Sequence, residues 1–384
     1  MPQRIRLGVV GFGWMGQAHA RALTRAPQHY PDLPVAPQLA MVADNAPDGR
    51  LEVARDVYGF AATTTDWREL VASDEVDVVS VTGPNFIHAQ VAIAAAAAGK
   101  HLWVEKPAGR GSAETKAIAD AAAAAGVHTA VGFNYRNAPA VEYARDLVTS
   151  GRIGEVTHAR VQMLGDYAAH PDGAHTWRFT RELSGNGVTG DLGSHGIDLA
   201  EYVVGPIARL VAQDSTFITH RPVSTGAASH FSRGGGGELK EVENEDYVSM
   251  LLTFASGARG MLEASRASVG EQNTYGFTIH GRTGALEWDF RRMGELRVCL
   301  DQDFQSASWS TVLVRPGIAE FGAFQPDAGI AMSYDDLKVI EAKRLMESIV
   351  TGNPVGATIA DALRAAQVAE AAEASVASGE WVSL

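Results

Sequence analysis

Apolar runs alternate with helical periodicity along the first third of the chain. Residues 5–10 form a short apolar run, and a helical stretch follows the next glycines as far as residue 26. Residues 39–43, 76–81, 102–105 and 127–133 are further apolar runs of strand length. Between them, residues 48–58, 66–71, 86–98 and 112–125 carry helical spacing, and Gly99 stops the third of these where a left-handed residue usually ends a helix. This alternation predicts an α/β fold whose N-terminal part is a Rossmann-type, doubly wound parallel sheet. The stretch bearing Pro27, Pro31, Pro34 and Pro37 reads as a loop before the second strand.

After about residue 134 the texture changes. Residues 138–149 read as a helix, and longer strands with one wetter face follow at 156–164 and 207–218. Residues 247–254 and 258–265 flank Ser256-Gly257, and 277–280 and 285–290 flank 281–284, both of them hairpin signals. They predict a C-terminal α/β domain with an open, mostly antiparallel sheet. Residues 221–245 read as a long polar loop with glycines at 234–237, and helical patterns at 335–350 and 359–377 follow. The expected division is 1–133 and 134–384, with a helix at about 358–378 packing back on the first domain.

Composition narrows the classes. A chain of 384 residues exceeds one typical domain. With 32 Lys and Arg against 45 Asp and Glu, the net charge is −13, which repels nucleic-acid backbones and anionic membrane surfaces. Neither is an expected partner. Cys299 is the single cysteine, so an intrachain disulfide and a multi-thiolate metal site are excluded and no metal is expected. Arg4 and Arg6 before an apolar stretch, with Ala18-His19-Ala20 beyond, imitate a signal peptide, but glycines interrupt the stretch. The alanine runs at 94–98 and 121–125 are too short to span a bilayer. The expectation is a soluble, cytoplasmic protein.

Gly11-Phe12-Gly13-Trp14-Met15-Gly16 follows a strand and opens a helix. In that context the first glycine permits a tight turn, the second lets a pyrophosphate approach, and the third packs helix on strand. Asp44 ends the second strand, farther along than the usual twenty or so residues because of the proline-bearing segment. A carboxylate there would accept from both adenosine ribose hydroxyls and repel a 2′-phosphate, which favours NAD over NADP. Asp44 could instead simply open a turn with Asn45.

Two further sites carry chemistry. Glu105-Lys106-Pro107 follows an apolar strand, so the Lys106 ammonium would stand at the carboxyl end of the parallel sheet. There it can hydrogen-bond a substrate hydroxyl and favour a developing alkoxide. Asp191 and His195 are four apart and would share a helix face. His195 suits proton exchange near neutrality, with Asp191 orienting it or binding substrate directly. Alone, the lysine would more often mark a surface turn, and Asp191 a helix cap beside a core histidine.

Gly11-Phe12-Gly13-Trp14-Met15-Gly16, Glu105-Lys106-Pro107 and Gly190-Asp191-Leu192-Gly193-Ser194-His195 together resemble the signatures of the Gfo/Idh/MocA oxidoreductases, in matching order and spacing. The resemblance implies hydride transfer between NAD and a ring hydroxyl of a sugar, a levoglucosan-like anhydrosugar or an inositol. Lys106, Asp191 and His195 would be catalytic, and the Lys106–Pro107 bond cis. Pro84, Asn85, His88, Glu105 and Lys106 would line the cofactor with the glycine turn and Asp44, although Gly83 stands where the family usually has threonine. Asn134, Tyr135, Arg136, Trp177, Arg178 and Tyr334 resemble the substrate contacts of its sugar and inositol dehydrogenases. The family's exposed sheet face implies a homodimer or homotetramer. His170 and His175 show no metal-ligand spacing. Two rival readings stay open: an NADPH-dependent keto-sugar or anhydro-ketose reductase, and an NAD-binding sensor or regulator without turnover.

Overall fold

The apolar runs of the first third become one parallel sheet. The computed structural model describes residues 2–223, 232–234, 237–300 and 303–384. In chain order the elements are β1 (Gln3–Val10), α1 (Trp14–His29), β2 (Val35–Ala43), α2 (Arg50–Asp56), β3 (Ala62–Thr64) and α3 (Trp67–Ala72). They continue with β4 (Val78–Val81), α4 (Asn85–Ala97), β5 (His101–Val104), α5 (Ser112–Ala125) and β6 (Thr129–Val131). The strand order is β3-β2-β1-β4-β5-β6, with every pair parallel. The order reverses between β1 and β4, so the turns after those two strands open the crevice where such sheets bind ligands. Leu7, Val9, Val79 and Val81 are fully buried because helices cover both faces of the central strands, and this explains their unbroken apolar runs.

The expected proline loop is mostly regular structure. Helix α1 runs through Pro27 to His29, and β2 begins at Val35 and includes Pro37. Strand β3 pairs only with Met41–Ala43, so at Pro37 β2 has β1 as its ladder neighbour and an open side that tolerates a missing N–H.

The second group of elements starts with a 3-10 turn at Asn134–Asn137, then α6 (Pro139–Thr149), β7 (Val156–Leu164) and the short α7 (Arg181–Ser184). A π-helical turn, Thr189–Gly193, leads into α8 (Ser194–Val203) and β8 (Ile207–Ser215). Next come β9 (His220–Pro222), β10 (Leu239–Glu241), β11 (Tyr247–Phe254), β12 (Arg259–Ser265), β13 (Thr274–Gly281), β14 (Ala285–Asp289), β15 (Glu295–Cys299) and β16 (Ser310–Leu313). The chain then forms α9 (Tyr334–Thr351), α10 (Ile359–Ser378) and β17 (Val382–Ser383). Among the described residues, one sheet runs β16-β15-β14-β13-β7-β12-β11-β8-β17, with β7–β12 its parallel pair and the other pairings antiparallel. Both expected hairpins are present, as β11–β12 and β13–β14.

Alternation decides the faces of this sheet. On β7, Ala159, Val161 and Met163 are buried, while His158, Arg160 and Gln162 are exposed. Helix α8 lies on the buried face at Gly196, where a Cβ would come within 3.0 Å of Met163. The polar segment expected at 221–245 contains β9 and β10, an antiparallel pair, whereas residues 224–231 and 235–236 lie outside the described residues.

Two units emerge: Met1–Asn134 with Ser333–Arg364, and Tyr135–Met332 with Ala365–Leu384. The chain therefore rejoins its first unit at Ser333. Helix α9 belongs there, and the dividing line falls within α10, of which residues 359–364 go with the first unit and the remainder with the second. The reason is packing: Leu337, Val339 and Ile340 of α9 are fully buried, while Ser375 near the end of α10 accepts from Ala212 N on β8. No described helix is long and apolar enough to cross a membrane.

Candidate active site

The glycine turn is shaped by close approach. Gly11 has φ 91°, and a Cβ there would lie 2.6 Å from Gly83 backbone. A Cβ on Gly16 would meet Gly11 O at 2.2 Å, so helix and turn touch directly. Beside Gly13 the space is open, with Arg50 Nη1 3.9 Å from an added Cβ. Gly13 caps α1 without a side-chain hydrogen bond, and the first turn holds no acidic residue. Free N–H groups at the positive end of a helix dipole suit a pyrophosphate, so the turn fits the dinucleotide.

Phe12 contributes backbone only, since its ring is buried edge-on against Tyr58 and Phe60. Its N–H donates to Asp44 Oδ2 at 2.6 Å. Asp44 Oδ1 accepts from Ala46 N at 2.8 Å, and Arg50 Nη1 reaches Oδ2 at 3.1 Å. Asp44 thus ties the end of β2 to the glycine turn. Met15 is half-buried; Trp14 is 62% exposed and packs against Tyr334, ring centroids 5.2 Å apart. Tyr334 is held there by the start of α9. Arg21 donates to Asp335 at 2.6 and 3.1 Å, Arg25 to Asp336 at 2.8 Å, and Ser333 closes a capping box with Asp336.

The turns after β4 and β5 are joined by His88, whose Nδ1 lies 2.9 Å from Pro107 O and whose Nε2 lies 2.8 Å from Gly83 O. Burial lowers the pKa of this imidazole, so a neutral ring donates to one of the two carbonyls. Pro84 caps α4 and Asn85 opens it. The Lys106–Pro107 bond is cis. Asn134, at the carboxyl edge after β6, is fully buried with neither amide atom hydrogen-bonded. A buried amide in that state is costly unless something accepts and donates to it.

Beneath Lys106 lies a cluster of charge that sequence reasoning missed. Lys338 Nζ donates to Glu105 Oε1 at 2.5 Å and to Glu341 Oε1 at 2.9 Å. His19 Nε2 is 3.0 Å from Glu105 Oε1, and its Nδ1 is 2.8 Å from Ser80 Oγ. Trp103 stacks on His19 at 3.7 Å and donates Nε1–H to Glu341 at 2.7 Å. Burial pushes His19 down to about 4, leaving it neutral, and pushes Glu341 up to about 7. Burial would also raise Glu105, but Lys338 and His19 outweigh it and hold that carboxyl well below the usual range. His19, Glu105 and Glu341 are the one group among the described residues spaced to hold a metal ion; the Lys338 ammonium already supplies their cation.

The second unit carries the other catalytic candidates. Asp191 stands in the π-turn and His195 in the first turn of α8, so simple α-helical i to i+4 geometry does not span the join. Single π-turns of this kind concentrate at functional sites. Tyr167 donates its hydroxyl to Asp191 Oδ2 at 2.6 Å. Burial, then the Asp191 charge, raises the pKa of Tyr167 well above that of an ordinary tyrosine, so it remains a donor. The His195 ring lies 4.5 Å from Tyr135, which also packs on Tyr275 and Phe290. Burial and Asp191 likewise raise Tyr275.

Three substrate candidates, Arg136, Trp177 and Arg178, have structural partners. Arg136 forms a buried two-pronged pair with Asp198, three residues beyond His195, so its guanidinium anchors α8. Arg178 stacks over Trp177 at 4.3 Å on a 3-10 turn whose Arg178 carbonyl is held by Asn244. His175 likewise hydrogen-bonds the Glu241 carbonyl.

Lys338 and Glu341 carried one signal, charges inside the apolar run 337–342. Tyr167 and Arg50 carried none, since neither lies in a motif.

Comparison with known proteins agrees with this architecture. Residues 5–133 match the model for the oxidoreductase family with an NAD-binding Rossmann fold, and residues 141–287 match the GFO/IDH/MocA C-terminal domain. The chain is 34% identical to a levoglucosan dehydrogenase of Pseudarthrobacter phenanthrenivorans, over 100% of this chain and 98% of that one. It is 24% identical to an inositol 2-dehydrogenase of Rhizobium meliloti over 99% of each. A solved levoglucosan dehydrogenase in complex with NADH and levoglucosan superposes with a TM-score of 0.92 at 33% identity, over 99% of both chains. Two matched domains in the right order, the glycine turn with Asp44, and an end-to-end relative establish that this chain belongs to the GFO/IDH/MocA family of NAD-dependent oxidoreductases.

Proposed function

We propose that the protein oxidises a ring hydroxyl of an anhydrosugar, sugar or inositol to a ketone, with a levoglucosan-like ring as the first candidate. The observation that carries this reading is the 34% identity to a levoglucosan dehydrogenase along essentially the whole of both chains. NAD, bound on the glycine turn and Asp44, supplies a hydride acceptor. Lys106 hydrogen-bonds the reacting oxygen and stabilises the alkoxide character that grows as hydride leaves. His195 takes the hydroxyl proton, and Asp191 orients the substrate or the imidazole. Asn134, whose buried amide lacks a protein partner, reads as a contact to a second ring hydroxyl. Tyr135 walls the ring beside His195, and Trp14 with Tyr334 offers an aromatic face near the dinucleotide turn. The Asp44 carboxylate selects NAD over NADP.

The outward face of the large sheet bears Leu251, 53% exposed, and Met261, 39% exposed, paired side by side across β11 and β12. We assign this face to contact with a second copy of the chain.

The test is NADH formation with a panel of anhydrosugars, aldoses and inositols. Lys106→Ala and His195→Ala should each lose most turnover while NADH affinity stays within an order of magnitude. Tight NADH binding with no turnover on any ring alcohol would favour a sensor, and preferred reduction of ketoses with NADPH would reverse both direction and cofactor.

A further inference from the structure

The buried charges under β5 ask for an explanation that stability does not supply. Lys338 and His19 are wholly inaccessible, and Glu105 and Glu341 nearly so. Each ion removed from water costs several kcal/mol, and well-packed apolar replacements for such clusters are often as stable or more so. What the cluster does secure is geometry. It draws on four elements: His19 from α1, Ser80 from β4, Trp103 and Glu105 from the end of β5, and Lys338 with Glu341 from α9. Gly132, after β6, is shaped to fit, since a Cβ there would fall 2.5 Å from both Glu105 oxygens.

The two oxygens of Glu105 do different things. Oε1 accepts from Lys338 and His19, while Oε2 accepts the backbone N–H of Lys106 at 3.3 Å. His19 is neutral and donates one proton, with Ser80 supplying its other ring nitrogen. The positive charge that fixes Glu105 is therefore that of Lys338. Without it, burial would favour a protonated Glu105, and a carboxylic acid can turn its O–H toward the very atom that now meets an N–H donor.

We propose that Lys338 is a positioning residue for Lys106: its ammonium fixes the Glu105 carboxylate, which in turn holds the Lys106 backbone and so aims the Lys106 side chain. The inference rests on the catalytic role given to Lys106 above. A displacement of about 1 Å in such a group can cost on the order of a hundredfold in rate.

Two readouts on Lys338→Met in the NADH-loaded enzyme test it. In protein labelled with 15N-lysine, the Lys106 amide, identified by its disappearance in Lys106→Arg, should shift and exchange with solvent at least tenfold faster. With the sugar that wild type oxidises, kcat should fall at least tenfold, the isotope effect from carbinol deuterium should rise, and NADH affinity should stay within about threefold. Should Lys338→Met fail to fold, Lys338→Met/Glu341→Gln removes the pair together and carries the same expectations. Adding Glu105→Gln to Lys338→Met should recover part of kcat, because an amide carbonyl again accepts from Lys106. An unmoved Lys106 amide, or kcat within twofold of wild type, overturns the proposal. Absence of sugar oxidation by wild type would refute the reading of Lys106, while the amide measurement would still decide the role of Lys338.

Discussion

At the scale of single residues, the site is built from donors that leave their partners little freedom. Tyr167 is the clearest case. Its hydroxyl donates to Asp191 at 2.6 Å and remains protonated because burial and the neighbouring carboxylate oppose ionisation. Tyr167→Phe removes the hydroxyl and keeps the ring. A hydrogen bond to a charged group contributes about 1.5–3 kcal/mol, so kcat/KM for the sugar should drop at least tenfold. NADH affinity, set by the other unit, should be unchanged. Steady-state kinetics beside a cofactor titration checks this, and an equal loss in both would contradict the assignment. Gly132 makes a second residue-level case. Gly132→Ala forces a methyl against both Glu105 oxygens and should destabilise the protein by about 1–3 kcal/mol in denaturant titration.

At the scale of elements, α9 is the piece whose meaning is not written in its pattern. The strands and helices of the first unit were legible because burial on both faces imposes continuous apolar runs, and because Gly11, Gly13 and Gly16 sit where a turn needs them. Glu105-Lys106-Pro107 was legible from its place after a strand. Lys338 and Glu341 were not: charges inside an apolar run hint at burial but do not name a partner, which shows only once α9 is seen packed against α1. Tyr167 escaped because it reaches Asp191 from irregular chain, where no periodicity operates. The same cluster sets a pH response. Folded Glu341 keeps its proton to about pH 7 while an unfolded glutamate releases it near 4.5, so its contribution to stability is present below 4.5 and is lost as pH rises through 7. Folded His19 titrates near 4 against 6.5 unfolded, so it adds stability as pH rises through that interval, opposing Glu341 below 6.5. Glu341→Gln should therefore be more stable than wild type above pH 7, by about 1–3 kcal/mol, with the gain gone near pH 4.5. Urea unfolding across that range measures it.

At the scale of the whole molecule, the large sheet offers one buried face and one that is half apolar. Leu251 and Met261 stand in register with Arg160 and Thr278 across β11, β12, β7 and β13. A patch of this kind on an otherwise acidic protein suits self-association. If that face mediates self-association, wild type should scatter light as more than one chain, and Leu251→Lys combined with Met261→Lys should scatter as a monomer. A wild-type monomer would remove the assignment of that face without touching the chemistry.

Helix α9 also imposes an order of events on synthesis. Glu105 leaves the ribosome more than two hundred residues ahead of the lysine that neutralises it. Until that lysine emerges, the nascent nucleotide-binding half holds a carboxyl group with no cation to meet it, and must keep the group protonated or wet. The enzyme's first half is thus completed only after most of the second has been made, and a chain cut short before residue 333 would inherit a sheet whose Glu105 edge has never been locked.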